Sequence, residues 1–249
     1  MGQDEQAAAI AAAWQAPERR LAAWPGTPPR DPAEGYRLQR AVAARLGPVG
    51  GWKVGASGPE APPSCAPMPL SGMRRGPATV SLRLHPRPMV ESEICLRLGR
   101  DLPPRATPYG EAEVLDAVQS CHPALEILQS RFLDDGALDP AARLADLLGH
   151  GGFVSGGAIE GWRDLDFASL GVVQQVEDQP DIAGRGNPAG GMGRLLRWLA
   201  DEGAREAGGL HAGQFVTCGS WTGKTAVAAP ARVSVRFERA PGLHVWFEA

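Results

Sequence analysis

The sequence predicts an α+β protein, mostly β, with a small helical region at residues 1–47 and a β-rich body at 48–249. Three observations carry this. The 249 residues include 32 glycines and 23 prolines, well above an average combined share of about 12%. Turns are therefore frequent and strands short. Apolar residues make up 43% of the chain and recur to its end, so a core is affordable and disorder is excluded. Finally, there is no repeat and no strict alternation of strand and helix, which argues against a parallel α/β sheet.

The elements follow in order. Gln6–Trp14 is Ala-rich and reads as a helix. A Pro-rich link, Trp24–Pro32, leads to a second one. There Asp31 is placed to cap, Pro32 takes the first helical position, and Glu34 completes a capping box. Tyr36, Leu38, Val42 and Leu46 recur near helical spacing, and Gly47-Pro48 stops the helix. From Gly51 the pattern shortens. Gly51–Gly55 reads as a short strand, 59–69 as a loop, Thr79–Leu84 as a strand and Met89–Leu98 as a strong one. Thr107-Pro108 opens a helix carrying Val114, Leu115 and Val118, and Ala124–Phe132 is another strand. Asp139-Pro140 caps a helix running through Leu144, Leu147 and Leu148 to Gly149. Gly152–Ser155, Leu170–Val176 and Gln214–Gly219 are strands. Asn187-Pro188 opens a helix with Met192, Leu195, Leu196 and Leu199 on one face. Val233–Phe237 and Leu243–Phe247 close the chain as a hairpin.

Charge and cysteine usage exclude several function classes. The count is 25 basic against 28 acidic residues, net −3, with no basic run. Nucleic acid and anionic membrane are therefore poor partners. The apolar run Ala7–Trp14 is far short of the ~18 residues that span a bilayer, and it lacks the basic flank of an export signal. Cys65, Cys95, Cys121 and Cys218 are scattered without a CxxC pair. The expectation is reduced thiols in a cytoplasm and no zinc site.

Two apparent motifs are decoys. Gly184–Ala189 matches GxGxxA in letters, but the preceding strand ends well before it, which a dinucleotide turn does not allow. Gly219-Ser-Trp-Thr-Gly223-Lys224-Thr225 has three residues between its glycines, where a phosphate loop has four. The five histidines show no HxH or HExxH spacing and read as surface or packing residues.

The informative segment is Met89-Val-Glu-Ser-Glu-Ile-Cys-Leu-Arg-Leu98. In a strand, Glu91 and Glu93 share one face, with Cβ atoms about 7 Å apart, close enough to grip one cation. Held so near each other they repel, so a partner is expected. Pro123–Arg131 places Glu126 inside an apolar run, where an acid without a partner is rare. Three carboxylates without sulfur or imidazole suit a hard divalent ion, Mg²⁺ or Mn²⁺. Gly51-Trp-Lys53-Val-Gly55 sets a lysine between glycines, a candidate acid/base or anion anchor.

These segments, in order, resemble the fumarylacetoacetate hydrolase superfamily, in its branch of 2-keto-4-pentenoate hydratases and 4-oxalocrotonate decarboxylases. The resemblance runs from Tyr36–Gln39 through Gly51–Gly55, Val90–Ile94, Arg100–Leu102, Pro123–Ile127, Ser130-Arg131 and Gly152–Gly156. It continues through Asn187-Pro188, Trp198–Ala200 and Leu210–Gly213 to Gly219-Ser220. It implies a mixed β-roll, with Glu91, Glu93 and Glu126 as metal ligands and Lys53 as acid/base. It also implies a small 2-oxo or 2-hydroxydienoic acid as substrate and a homo-oligomer. Ser220 and Thr222, in a Gly-rich turn, are candidates for binding the substrate carboxylate. Partial burial and a nearby ion are expected to lower the Lys53 pKa.

The chain departs from that branch at three places. Pro69–Met73 lacks an acid, Ala145-Asp146-Leu147-Leu148 lacks the Asn of an Ala-Asp-Asn-Ala stretch, and Ala229-Pro230 replaces a Gly-Asp turn. Two alternatives stay open beside the lyase. One is an acylpyruvate-type C–C hydrolase, which needs a further base to activate water. The other is a catalytically silent, metal-binding subunit of a hetero-oligomer with a paralogous partner.

Overall fold

Two sheets and five short helices make up the computed structural model, which describes residues 1–228 and 230–249. Ala229 lies outside the described residues. The strands are β1 (Val49–Gly55), β2 (Ser64–Pro69), β3 (Met73–Arg75), β4 (Ala78–Ser81), β5 (Met89–Leu98), β6 (Val118–Leu128) and β7 (His150–Ser155). They continue as β8 (Gly171–Val176), β9 (Ile182–Arg185), β10 (Phe215–Ser220), β11 (Thr225–Ala226), β12 (Ala231–Phe237) and β13 (Leu243–Glu248). The larger sheet runs β2-β1-β10-β5-β6-β7-β3, with β11 also on β5; the smaller runs β4-β13-β12-β8-β9. The architecture is mixed and mostly sheet, as the sequence predicts.

The smaller sheet covers one face of the larger. Alternation assigns Val90, Ile94, Leu96 and Leu98 of β5 to that seam, and all four are buried in one cluster with Val233, Val235 and Phe247 of the smaller sheet. Helices α3 (Glu111–Asp116) and α5 (Met192–Trp198) close the same core through Val114, Leu195 and Leu196. The opposite face of β5, carrying Glu91, Glu93 and Cys95, turns toward the interior of the roll. There Cys95 packs with Met68, Ala124 and Phe153.

The N-terminal helices are α1 (Gln3–Gln15) and α2 (Pro32–Leu46). Asp31 caps α2 by accepting from the Glu34 N–H at 2.8 Å. Ile10, Leu38 and Val42 share a buried cluster with Ala66, Phe132, Ala145 and Leu147 of the body. These helices therefore have no core of their own.

Three local expectations are corrected. Residues 64–69 form a strand rather than loop, paired antiparallel with β1; its two prolines and its burial on both faces hide any period of two. Of the helix expected from Thr107-Pro108 through Val118, only Glu111–Asp116 is helical, and Val118 begins β6. The helix α4 ends at Ala145, because Leu147 and Leu148 adopt φ of 52° and 53° before Gly149 at 74°. Left-handed backbone is uncommon for leucine. Strands β3, β9 and β11 carry too few residues to announce themselves. At Gly51 a Cβ would collide with the Phe215 carbonyl, so the close parallel pairing of β1 on β10 requires glycine there.

Candidate metal centre

Register brings the acids together. Glu91 of β5 lies directly opposite Glu126 of β6, and Glu93 follows two residues along on the same face. One carboxylate oxygen from each lies within 4.8 Å of the others. Glu93 and Glu126 are 2% and 0% exposed, while Glu91 is half-buried. Strand β10 enters between β1 and β5, pairing Thr217 with Cys95 on one side and with Lys53 on the other. Lys53 thereby reaches the acids across one strand, with its Nζ 2.7 Å from Glu126 Oε1 and 3.5 Å from the Leu148 carbonyl. The Thr217 hydroxyl donates to Glu93 Oε2.

The two oxygens of Glu126 have different surroundings. Oε1 receives Lys53 and also His150 Nδ1, at 2.8 Å. Oε2 is buried with no hydrogen-bond partner among the described residues. A buried, unpartnered carboxylate oxygen is costly. A hard cation would satisfy it, and the other two acids stand where such an ion needs them. The residues present thus fit a Mg²⁺-like ion.

Burial, with Glu126 next, raises the pKa of Glu91, against the opposing pull of Lys53. Glu93 is pushed well above the carboxylate range by burial, then by Glu126 and Glu91. Burial also acts to raise Glu126, but Lys53 and His150 outweigh it, and its pKa is lowered. For Lys53, burial lowers and the three glutamates raise, with a net rise. The expectation of a lowered Lys53 pKa is therefore corrected for the ion-free chain: three acids hold the ammonium charged. The partner that Glu91 and Glu93 require is this lysine.

Protons held on Glu91 and Glu93 compete with a metal, since ligands must be ionised to bind. Their raised pKa values place that competition above the ordinary carboxylate range. Lowering the pH through this window therefore weakens ion binding. The Mg²⁺-induced rise in Tm is expected to be larger near pH 8 than near pH 5. Thermal melts with Mg²⁺ and with EDTA at each pH check this; an equal rise at both would contradict it.

Ser220 and Thr222 part company. Ser220 pairs in register with Glu93 and bears on Glu91, favouring its charge. Thr222 is turned away: its hydroxyl accepts from the Ser92 N–H at 3.1 Å and lies 3.2 Å from Gln174 Oε1, in the seam between the sheets. Thr222 is corrected to a residue that fastens the turn.

His150, expected from the sequence to be a surface or packing residue, holds Glu126. It is fully buried and stacks on Trp14 with ring centroids 5.8 Å apart. Burial lowers its pKa despite the neighbouring acid, so it serves as a neutral imidazole whose Nδ1–H donates to Glu126. Behind it, Arg131 forms a buried pair with Asp146 at 2.6 Å and donates to the His150 carbonyl. No spacing in the sequence signals these contacts; they arise because β7 lies beside β6.

A cleft of about 320 Å³ opens two residues further along β5 and β6 than Glu91 and Glu126, which do not themselves line it. Met89 and Leu128 continue the strand faces of Glu91 and Glu126, and Leu148 and Lys224 form its sides. Arg20, Arg87 and Arg143 join Lys224, against Asp135 and Asp146, so the lining is mainly cationic.

No family model matches the chain. It is 34% identical over 160 residues to a 4-oxalocrotonate decarboxylase of a Pseudomonas species, covering 62% of this chain and 57% of that protein. It is 31% identical over 155 residues to 2-keto-4-pentenoate hydratase 2 of Dechloromonas aromatica, covering 61% and 57%. The matches thus span less than two thirds of those relatives. Among solved structures, 4-oxalocrotonate decarboxylase from Pseudomonas putida G7, complexed with magnesium and adipate, superposes with a TM-score of 0.79. That likeness covers 98% of this chain and 97% of the other at 20% identity. Fumarylpyruvate hydrolase from Pseudomonas aeruginosa, in complex with Mn²⁺ and pyruvate, gives 0.58 over 79% and 88% at 14% identity. At these identities the structural likeness speaks for the fold.

Proposed function

We propose that this chain, which is similar over part of its length to 4-oxalocrotonate decarboxylase and 2-keto-4-pentenoate hydratase and shares the fold of the former, is a divalent-metal-dependent lyase of the fumarylacetoacetate hydrolase superfamily. Its substrate is a small 2-oxo or 2-hydroxydienoic acid, and the reaction is hydration or decarboxylation. The observation that carries the reading is the convergence of Glu91, Glu93 and Glu126 on one side of Lys53.

Glu91, Glu93 and Glu126 would hold Mg²⁺ or Mn²⁺. When bound, the ion supplies Lewis-acid polarisation of the substrate's carbonyl and stabilises the negative charge that develops when the neighbouring carbon loses a proton or CO₂. The chain's own groups do the rest. Lys53 carries a proton to and from the substrate carbon. His150 and Thr217 fix the glutamates, so that little reorganisation is needed during reaction. The cationic cleft draws in an anionic acid, and Ser220, beside Glu91 and Glu93, is the candidate to bind its carboxylate.

The hydrolase alternative needs a second base facing the cleft. His150, the nearest imidazole, is enclosed and spends its Nδ1–H on Glu126, which favours the lyase. Four free, buried cysteines accord with a reducing compartment; no helix among the described residues is long and apolar enough to cross a membrane. A cytoplasmic homo-oligomer completes the proposal, with exposed Trp246 as apolar surface available to a second copy.

The test is to mix the purified protein and Mg²⁺ with 2-hydroxydienoates, 2-oxo-enedioates and acylpyruvates and follow ultraviolet absorbance. Loss of conjugation with hydrated or decarboxylated product is expected for one of the first two classes. Turnover of acylpyruvates alone would overturn the lyase in favour of the hydrolase, and no turnover of any class would favour the silent subunit.

A further inference from the structure

A second cavity, of about 260 Å³, lies between β6, β7 and the segments Ser71–Arg74 and Val80–His85. Ile127, Phe153 and Val154 line it at the β6–β7 edge, and Val80 of the smaller sheet closes the far wall. Two polar atoms at this cavity are buried without a partner among the described residues: His85 Nδ1 and Gln129 Oε1. His85 is 9% exposed. The Gln129 amide is oriented by its Nε2, which donates to the Leu84 carbonyl at 3.0 Å, so the unpartnered atom is the acceptor. Arg74 also lines the cavity, is exposed, and makes no ion pair among the described residues. Arg131 stands in the wall but is committed to Asp146.

Burial, then Arg74, push the His85 pKa down to about 4. The imidazole is therefore neutral near pH 7 and offers a hydrogen bond rather than a charge. The one uncommitted charge in the lining is the Arg74 guanidinium. Two orphaned polar atoms, one an acceptor, beside one cation call for a ligand with an anionic end and a hydroxyl.

We propose that this cavity is a second ligand site, for a small 2-hydroxycarboxylic acid. Its carboxylate pairs with Arg74. Its hydroxyl donates to Gln129 Oε1 and accepts from His85 Nδ1–H, the tautomer such a contact selects. None of Lys53, Glu91, Glu93 and Glu126 lines this cavity, and its occupancy does not depend on the function proposed for them.

The experiment is calorimetric titration of the full, Mg²⁺-loaded chain with glycolate and with acetate, which lacks the hydroxyl. The same titrations on Glu91→Gln remove binding that depends on the metal centre. Saturable glycolate binding is expected in both proteins, with acetate about tenfold weaker, the worth of about one good hydrogen bond. His85→Leu and Arg74→Ala should each weaken glycolate by about tenfold or more. Arg74 is exposed, so its variant keeps the test open should His85→Leu fail to fold. Equal affinity for glycolate and acetate would overturn the proposal. So would binding that disappears in Glu91→Gln, binding indifferent to Arg74→Ala, or no saturable binding at all.

Discussion

Lys53→Met is expected to lower turnover by about 10²–10⁴-fold in the presence of Mg²⁺, the usual worth of a general acid/base. The methionine keeps the stem and removes the amine. The same change has a second effect that a purely catalytic residue would not show. In the ion-free chain Lys53 is the cation held against three acids, with side-chain exposure of 15% beside a fully buried Glu126. Removing one partner of a buried pair typically costs about 3–5 kcal/mol. The ion-free variant should therefore melt well below the parent. A divalent ion replaces the missing positive charge, so Mg²⁺ should raise the variant's Tm by more than it raises the parent's. Steady-state rates and melts with Mg²⁺ and with EDTA check both halves. Parent-like turnover would reduce Lys53 to an anchor for Glu126.

Glu126→Gln should do the reverse. The amide keeps the shape and still accepts from His150 Nδ1–H, while Lys53 retains Glu91 and Glu93 as neighbours. Ion-free stability is thus expected to fall by less than in Lys53→Met, because two acids remain beside the ammonium. What disappears is the ion's contribution, about 2.7 kcal/mol at a concentration of about 100 Kd, and activity falls to background with it. Melts as a function of Mg²⁺ give this directly; a Mg²⁺-dependent rise as large as the parent's would show that Glu126 is not a ligand. The opposite signatures of the two variants separate loss of the cation from loss of a ligand.

The three converging acids are legible because each sits in a strand whose local pattern is strong. Met89–Leu98 alternates cleanly and its boundaries agree with β5. Glu126 stands in an apolar run, and Lys53 stands between glycines that permit close strand pairing. What was not legible depends on neighbours distant in the chain. The insertion of β10 between β1 and β5 brings residue 217 beside residues 53 and 95, and no local period encodes it. His150 acquires its role only because β7 pairs with β6. Strand β2 was hidden by proline, and the left-handed Leu147 and Leu148 ended a helix whose apolar spacing continues past its true end. Thr222 misled for a related reason: its turn is Gly-rich, but the register shift between Thr217 and Ser220 turns it toward Ser92.

Crystals grown with Mn²⁺ and measured for its anomalous scattering decide whether Glu91, Glu93 and Glu126 hold one divalent ion beside Lys53. A single strong peak is expected within about 2.0–2.6 Å of a carboxylate oxygen from each of the three glutamates. A Mn²⁺ peak at other residues, with the three acids still gathered only around Lys53, would contradict it.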